Sequence, residues 1–466
     1  MAHDTALPLS RFNNAARAIG DWLQRNQRAI RTVQWLVVGV YLILVAVPTF
    51  VSLPTRPAHI WNNLTLLAQF LFWGIWWPFV LLSMVLVGRA WCGLFCPEGT
   101  LTEFASRHGR GRAVPHWITW GGWPFVAFAC TTIYGQMVSV YQYPKPVLLI
   151  LGGSTFAAII IGLTYGRRLR VWCRYLCPVN GVFGLLAKLA PLHFRVDPET
   201  WRSSVRQGEH PRHLTCAPLV PVRTMQSTSP CHMCGRCSGF REAVQLSVRS
   251  PNHEIVHVAG GKPKAWDTML IFFGLMGIAL GAFKWTGSDL FIDVKQWLAT
   301  WLVSHNMLWP LEWASPWWLL THYPAQNDVM TLLDGIVLLG YIGATALLMG
   351  ITLSALTALA ARVLGPWSWH RFHHLALAFI PLGGCGVFLG LSALTVTMLH
   401  AEHITLQWVP AVRAAFLVAA TLWTIRLSWQ VAGLSASGTR RVAATSFSTA
   451  GAAVAALGWA SVFWTA

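Results

Sequence analysis

A chain of 466 residues that is 55% hydrophobic and only 11% charged is poorly matched to water, since soluble domains carry about 25% charged residues. Its formal charge of +18 would suit nucleic acid if spread over a polar surface. Instead Arg and Lys cluster at 11–31, 89–112, 167–264, 362–371 and 426–441, between nearly uncharged runs, so composition excludes nucleic-acid binding and implies a polytopic membrane protein obeying the positive-inside pattern.

Residues 1–32 are polar and basic, too long before the first apolar run for a cleavable signal, and read as a retained cytoplasmic segment. Apolar windows predict an all-α fold with about nine transmembrane helices, near 33–52, 65–87, 118–139, 147–165, 268–285, 331–361, 374–398, 409–431 and 444–464. That order puts the N-terminus inside and the C-terminus outside. The sixth window is overlong, which implies tilt or an interfacial turn.

Residues 33–190 read as a four-helix membrane core made of two hairpins, each ending in the same signature: WCGLFCP with Cys92 and Cys96, and WCRYLCP with Cys173 and Cys177. If helical, cysteines at i and i+4 share a face and can grip one centre. The prolines that follow favour a turn or the first position of a new helix, and the apolar residues beyond them fit a short interfacial helix. Arg89, Arg170 and Arg174 would favour thiolate over thiol. Two parallel hairpins with one signature suggest an internal duplication that brings the clasps together at the cytoplasmic surface. Disulfides do not suit a reducing cytoplasm. Packing cysteine is the bland reading. A tetrathiolate, or two two-cysteine sites, would take a soft centre, and the spacing does not separate iron–sulfur, Cu(I) and zinc.

Residues 191–264 read as a cytoplasmic iron–sulfur segment. SPCHMCGRCSGF supplies Cys231, Cys234 and Cys237 in the spacing of bacterial [4Fe–4S] ferredoxins. The place of a fourth cysteine is held by Arg241, so Cys216 is the expected remote fourth ligand of a [4Fe–4S] cluster, with zinc the alternative in the same ligands. His232, inside the triplet, is expected to face away. Arg236 and Arg241 should raise the potential of such a cluster.

Residues 265–466 read as a C-terminal membrane domain of about five helices. Its outer loop, 286–330, is dense in Trp and reads as an interfacial amphipathic helix, with a substrate-binding surface as the alternative. Cys130 and Cys385, alone in apolar helices, read as packing residues. The histidines of HRFHH (370–374) and MLHAEH (398–403) would cap opposite ends of one helix as interfacial or structural residues. Haem, or copper with Met398, is the lesser alternative there, with His305 and His322 as conceivable partners to His400 or His403. Asp334 is expected at headgroup level.

On the paired clasps and the cysteine run after the second, the chain resembles the membrane-bound polyferredoxins of the NapH, NosR and CcoG kind, over residues 60–265. The resemblance implies [4Fe–4S] clusters and inner-membrane electron transfer, or copper handling for the CcoG kind. The chain departs from that pattern in having one three-cysteine run rather than two, no room for an extracytoplasmic flavin domain, and extra C-terminal helices. The expected function is an iron–sulfur electron carrier of the bacterial cytoplasmic membrane, relaying electrons between a membrane redox partner, such as a quinol, and an acceptor complex. Its cluster would lie on the cytoplasmic side at Cys216, Cys231, Cys234 and Cys237, with a second metal or iron–sulfur site at Cys92, Cys96, Cys173 and Cys177. A copper or metal-centre assembly factor and a transporter with a regulatory cysteine site are the alternatives; few ionisable residues in the helices count against the transporter.

Overall fold

The computed structural model describes residues 6–54, 58–207 and 213–464. Among the described residues, eight helices are long and apolar enough to cross a membrane: Gln27–Phe50, Leu64–Val87, Pro144–Tyr165, Ala265–Gly287, Leu332–Val363, Ile380–Ala401, Val409–Gly433 and Gly438–Trp464. The remaining expected span, 118–139, is the 15-residue helix Trp123–Met137. At 1.5 Å per residue it is about 22 Å long, short of a core about 30 Å thick. Three spans contain wide π-helical stretches, at Phe70–Trp76, Leu148–Gly152 and Leu270–Ile278.

The chain divides into two compact units. One comprises Met1–Ile43, Phe79–Pro124 and Ser154–Lys262. The expected polar N-terminal segment forms a helix, Ala6–Arg25, followed after Asn26 by Gln27–Ala46. Ala16, Gly20 and Leu23 are buried along one stripe, the 3.6-residue period of an amphipathic helix. A methyl on Gly20 would lie 2.9 Å from Ser238 Oγ and 3.0 Å from Leu246 Cβ, so this helix packs directly on the cysteine-rich segment. Its neighbouring stripe leaves Phe12, Ile19 and Trp22 exposed, a face suited to the bilayer boundary.

The cysteine-rich segment is organised by a two-stranded antiparallel ribbon, β1 (Leu192–Val196) and β2 (Val244–Val248), in register Leu192↔Val248. Two strands alone are marginal in water. Here they gain a core in which Ala16 of the N-terminal helix, Phe194, Val220, Met225, Cys231, Met233, Val244 and Leu246 are buried together. Asn13 Oδ1 accepts a 2.9 Å bond from Val248 N–H, which ties the ribbon's open edge to the same helix.

The second unit comprises Leu44–Pro78, Phe125–Gly153 and Pro263–Ala466. It is a helical bundle packed through small residues, as membrane helices are. Gly277 lies against Ala346, Gly350 against the Phe273 ring, Gly386 against the fully buried Trp459 and Gly390 against Phe283. The overlong sixth window is one unbroken helix of 32 residues, Leu332–Val363, without an interfacial turn. Thr331 and Asp334 open it with a reciprocal capping box. Asp334 also pairs with Lys295 at 2.5 Å, so its burial is explained by structure. Lys295 belongs to Asp289–Ser304, the helix expected in the outer loop. The expected seventh span is broken: Trp369–Leu377 carries the HRFHH histidines, and Ile380–Ala401 begins with Pro381 in its first turn. Cys385 is half-buried, but Cys130 is exposed on its helix, so a packing role does not describe Cys130.

Candidate metal centre

Both clasps have one backbone design. In the first, Phe95 N–H and Cys96 N–H both donate to the Trp91 carbonyl, each at 2.9 Å. In the second, Leu176 N–H and Cys177 N–H both donate to the Trp172 carbonyl, at 2.9 and 3.0 Å. The short helices Ala90–Leu94 and Val171–Tyr175 therefore end before their second cysteine. The helical condition under which the two cysteines would share one face is therefore not met through the second cysteine. The turn stops because proline follows and cannot extend the ladder. Cys96 instead caps the next helix, Pro97–Arg107, its Sγ accepting Gly99 N–H at 3.4 Å with Pro97 in the first turn. After Cys177 the corresponding helix starts at Asn180.

The clasps meet. Cys96 interacts electrostatically with Cys92 and Cys173, and Cys177 with Cys92, Cys96 and Cys173. Arg170, at the head of the second clasp, donates from Nη1 to the Cys92 carbonyl.

Cys216 joins the triplet: it interacts with Cys234, and Cys231 and Cys237 each interact with both Cys216 and Cys234. Met233 N–H donates to Cys231 Sγ at 3.4 Å. Gly235, between Cys234 and Cys237, has φ +75° and a Cβ position filled by Leu23, a backbone conformation and a closeness that favour glycine. His232 is buried, and burial followed by the charges of Arg89, Arg170, Arg174 and Arg236 holds its pKa well below the usual histidine value.

The two thiol sets touch through backbone. Gly93, inside the first clasp, lies so close to the His232–Cys234 loop that an added Cβ would overlap the His232 carbonyl oxygen and stand 3.0 Å from Cys234 N. Two glutamines of the N-terminal helices serve the same junction: Gln34 Nε2 donates to the Gly93 carbonyl at 2.8 Å and Gln27 Nε2 to the Cys234 carbonyl at 3.0 Å. Arg89 Nη1 donates to the Ser229 carbonyl at 3.0 Å, two residues before the triplet.

Electrostatics at the sulfurs differ from the sequence expectation. Burial pushes Cys173 and Cys231 up to about 12, and raises Cys96, Cys177 and Cys237 well above the ordinary thiol range. Arg170 and Arg89 act in the opposite direction on Cys173 but are outweighed. The arginines alone therefore do not make thiolates. A cationic core bound among the sulfurs would, and that is what an iron–sulfur cluster brings. Among the described residues, no three His, Cys, Asp or Glu side chains converge closely enough to hold a single metal ion. A cluster spreads its four thiolates over the corners of a larger core, so two sets of four buried or half-buried thiols, each with a main-chain N–H aimed at sulfur, fit that group.

A cleft of about 380 Å³ opens at Cys216, lined by Leu169, Trp201, Val220, Arg223 and Phe240 among others. The Arg241 guanidinium lies 5.7 Å from the Trp201 ring and 5.9 Å from the Phe240 ring.

A family described as a 4Fe-4S binding domain matches residues 69–115 and 149–197. Over those residues the chain is similar to that 4Fe-4S binding domain, and it carries helices long and apolar enough to cross a membrane. The resemblance to membrane-bound iron–sulfur electron-transport proteins holds, and one curated relative is YccM of Escherichia coli strain K12, provisionally named for electron transport. It is 24% identical over 235 residues, 45% of this chain and 64% of YccM, so the match spans under two thirds of that relative's length. No solved structure matches. The matched segments contain Cys92, Cys96, Cys173 and Cys177 and stop short of Cys216, Cys231, Cys234 and Cys237. The likeness to a 4Fe-4S binding domain thus covers the clasps, for which spacing alone had left the metal open. Sequence reasoning missed Gln27, Gln34 and Glu103; the stripe Ala16, Gly20, Leu23, Gln27 was its available signal, read at helical period.

Proposed function

We propose that this protein relays single electrons through two [4Fe–4S] centres, one held by Cys92, Cys96, Cys173 and Cys177, the other by Cys216, Cys231, Cys234 and Cys237. A bound [4Fe–4S] cluster supplies one-electron chemistry without making or breaking a covalent bond to a substrate. The chain's own contribution is to seat, bury and join the two sets. The observation that carries the reading is the backbone contact of Gly93 with the His232–Cys234 loop, which leaves no layer of side chains between them at that point.

Electrons come from a membrane redox partner, such as a quinol or a redox protein, and pass to an acceptor complex. The cleft at Cys216 is the exchange face on the cysteine-rich side, because it brings a ligand of one centre to the surface between aromatic rings. Residues 166–262 carry 14 Arg and Lys against five Asp and Glu. That excess supports a cytoplasmic location in a bacterial inner membrane and an acidic partner.

The test is anaerobic purification with iron and sulfide analysis, followed by low-temperature EPR of the reduced protein. Two centres require about eight iron atoms per chain, four for each cluster. Cys231→Ser should remove one EPR signal and Cys96→Ser the other. A colourless protein holding zinc, or an iron-free protein that saturates with copper, would overturn the relay; the copper result would favour a metal-centre assembly factor.

A further inference from the structure

Between the two thiol sets lies a buried chain of charge. Glu103 belongs to the helix that follows the first clasp. Its Oε2 accepts from Arg170 Nε and Nη2, both at 2.8 Å, and its Oε1 accepts from Arg236 Nη2 at 2.7 Å. Arg170 reaches the first clasp through the Cys92 carbonyl, and its own N–H donates at 2.7 Å to the Ala217 carbonyl beside Cys216. Arg236 stands between Cys234 and Cys237, and its Nε bonds Gln27 Oε1 at 3.3 Å. The side chains of Arg170, Glu103 and Arg236 are 2%, 9% and 27% exposed. Every cysteine motif in the unit thus lies within a hydrogen bond or a few residues of the same Arg–Glu–Arg triad.

Such a triad is a poor way to hold a fold together. Desolvating three charges costs several kcal/mol per ion, and well-packed apolar residues are often as stable. Its placement points to another use, since reduction adds one negative charge to a centre, and fixed charges nearby set how readily that charge is accepted.

We propose that Glu103, Arg170 and Arg236 form a tuning triad that sets the electron affinities of the two thiol-held centres relative to each other, and hence the driving force for passage between them. Arg170 bears on both centres, and Arg236 chiefly on the one at Cys216, Cys231, Cys234 and Cys237. Glu103 orients both guanidinium groups and offsets part of their charge. The triad acts through charge and position, not as a ligand. This inference rests on the two-centre reading above.

The test is potentiometric titration of the full chain in detergent, read by low-temperature EPR, with iron and sulfide measured on every sample. Glu103→Gln should raise both midpoint potentials, Arg170→Gln should lower both, and Arg236→Gln should lower mainly the Cys216–Cys237 centre. The expected size is a change of about tenfold in the one-electron equilibrium, or about 59 mV. Glu103→Asp and Arg170→Lys keep the charges and should restore potentials near wild type. A purely structural triad would alter cluster content or stability without this pattern of signs. Potentials that stay fixed, or that move the same way in Glu103→Gln and Arg170→Gln at wild-type iron content, overturn the proposal. Should the buried variants lose their clusters, the more exposed Arg236 decides: Arg236→Gln with full iron and an unshifted potential also overturns it. A wild-type chain without iron or an EPR signal is a different result, and defeats the two-centre reading itself.

Discussion

Replacing Gly93 by alanine adds one methyl group at the junction of the two thiol sets. That methyl would overlap the His232 carbonyl oxygen and lie 3.0 Å from the His232 carbonyl carbon and from Cys234 N, where ordinary contact begins at 3.4 Å. The obstructing atoms are main chain on both sides, so no rotamer change relieves them. Overpacking costs about 1–3 kcal/mol when neighbours can yield, and a backbone obstruction belongs at the upper end, near 3 kcal/mol. Helix propensity returns about 1 kcal/mol on going from glycine to alanine, which leaves a net loss of about 2 kcal/mol. A control is Gly39→Ala, where an added Cβ meets nothing within 4 Å and only the propensity gain applies. The assay is the unfolding midpoint in detergent, with iron per chain measured on the same samples. Gly93→Ala should fall and lose iron while Gly39→Ala should not. Equal midpoints and equal iron in the two variants would refute direct backbone packing as the link between the sets.

Other consequences can be checked separately. Burial, followed by the nearby charge of Arg249, lowers His193 from 6.5 to about 4. Between those values the unfolded chain holds a proton that the folded chain lacks, so stability of the ribbon should fall as pH drops from 6.5 to 4 and be flat above 6.5. Amide exchange across Leu192–Val196 should accelerate over that window, and His193→Gln should abolish the slope. Burial alone would raise Glu103, but Arg170 and Arg236 hold it below the carboxylate value of 4.5. Its contribution is therefore complete above pH 4.5 and lost as pH falls through the depressed native value, so acid unfolding in Glu103→Gln should show a shallower limb there. Asp334→Ala removes a capping box and an ion pair to a partly exposed lysine, and should destabilise the start of Leu332–Val363 by about 1 kcal/mol, seen as faster exchange in its first turn.

The membrane helices were legible because a window of about 20 apolar residues has few other uses. The sequence failed where length and pattern disagree: the apolar window 118–139 is longer than the 15-residue helix Trp123–Met137 within it, and Pro381 divides a window that hydropathy treats as continuous. The grouping of cysteines into two sets of four followed from counting thiols and recognising two spacings. Their chemistry was less legible. Arginines near cysteines suggest thiolates, but burial is a property of packing and here it dominates. Glu103 and Gln34 carry no motif; they matter because of what folds against them, across 133 residues from Glu103 to Arg236 and 59 from Gln34 to Gly93.

The helix Ala6–Arg25 is made well before the ribbon, yet its buried stripe packs on Ser238 and Leu246. At about 5–20 residues per second of synthesis, it waits on the order of 10–45 s before the ribbon that covers it has emerged. Until then neither the ribbon core nor the pocket around Cys231 can close, whatever the state of the membrane helices. On the two-centre reading, the set at Cys216, Cys231, Cys234 and Cys237 is therefore enclosed late in the biogenesis of this protein, after the four clasp cysteines have all been made.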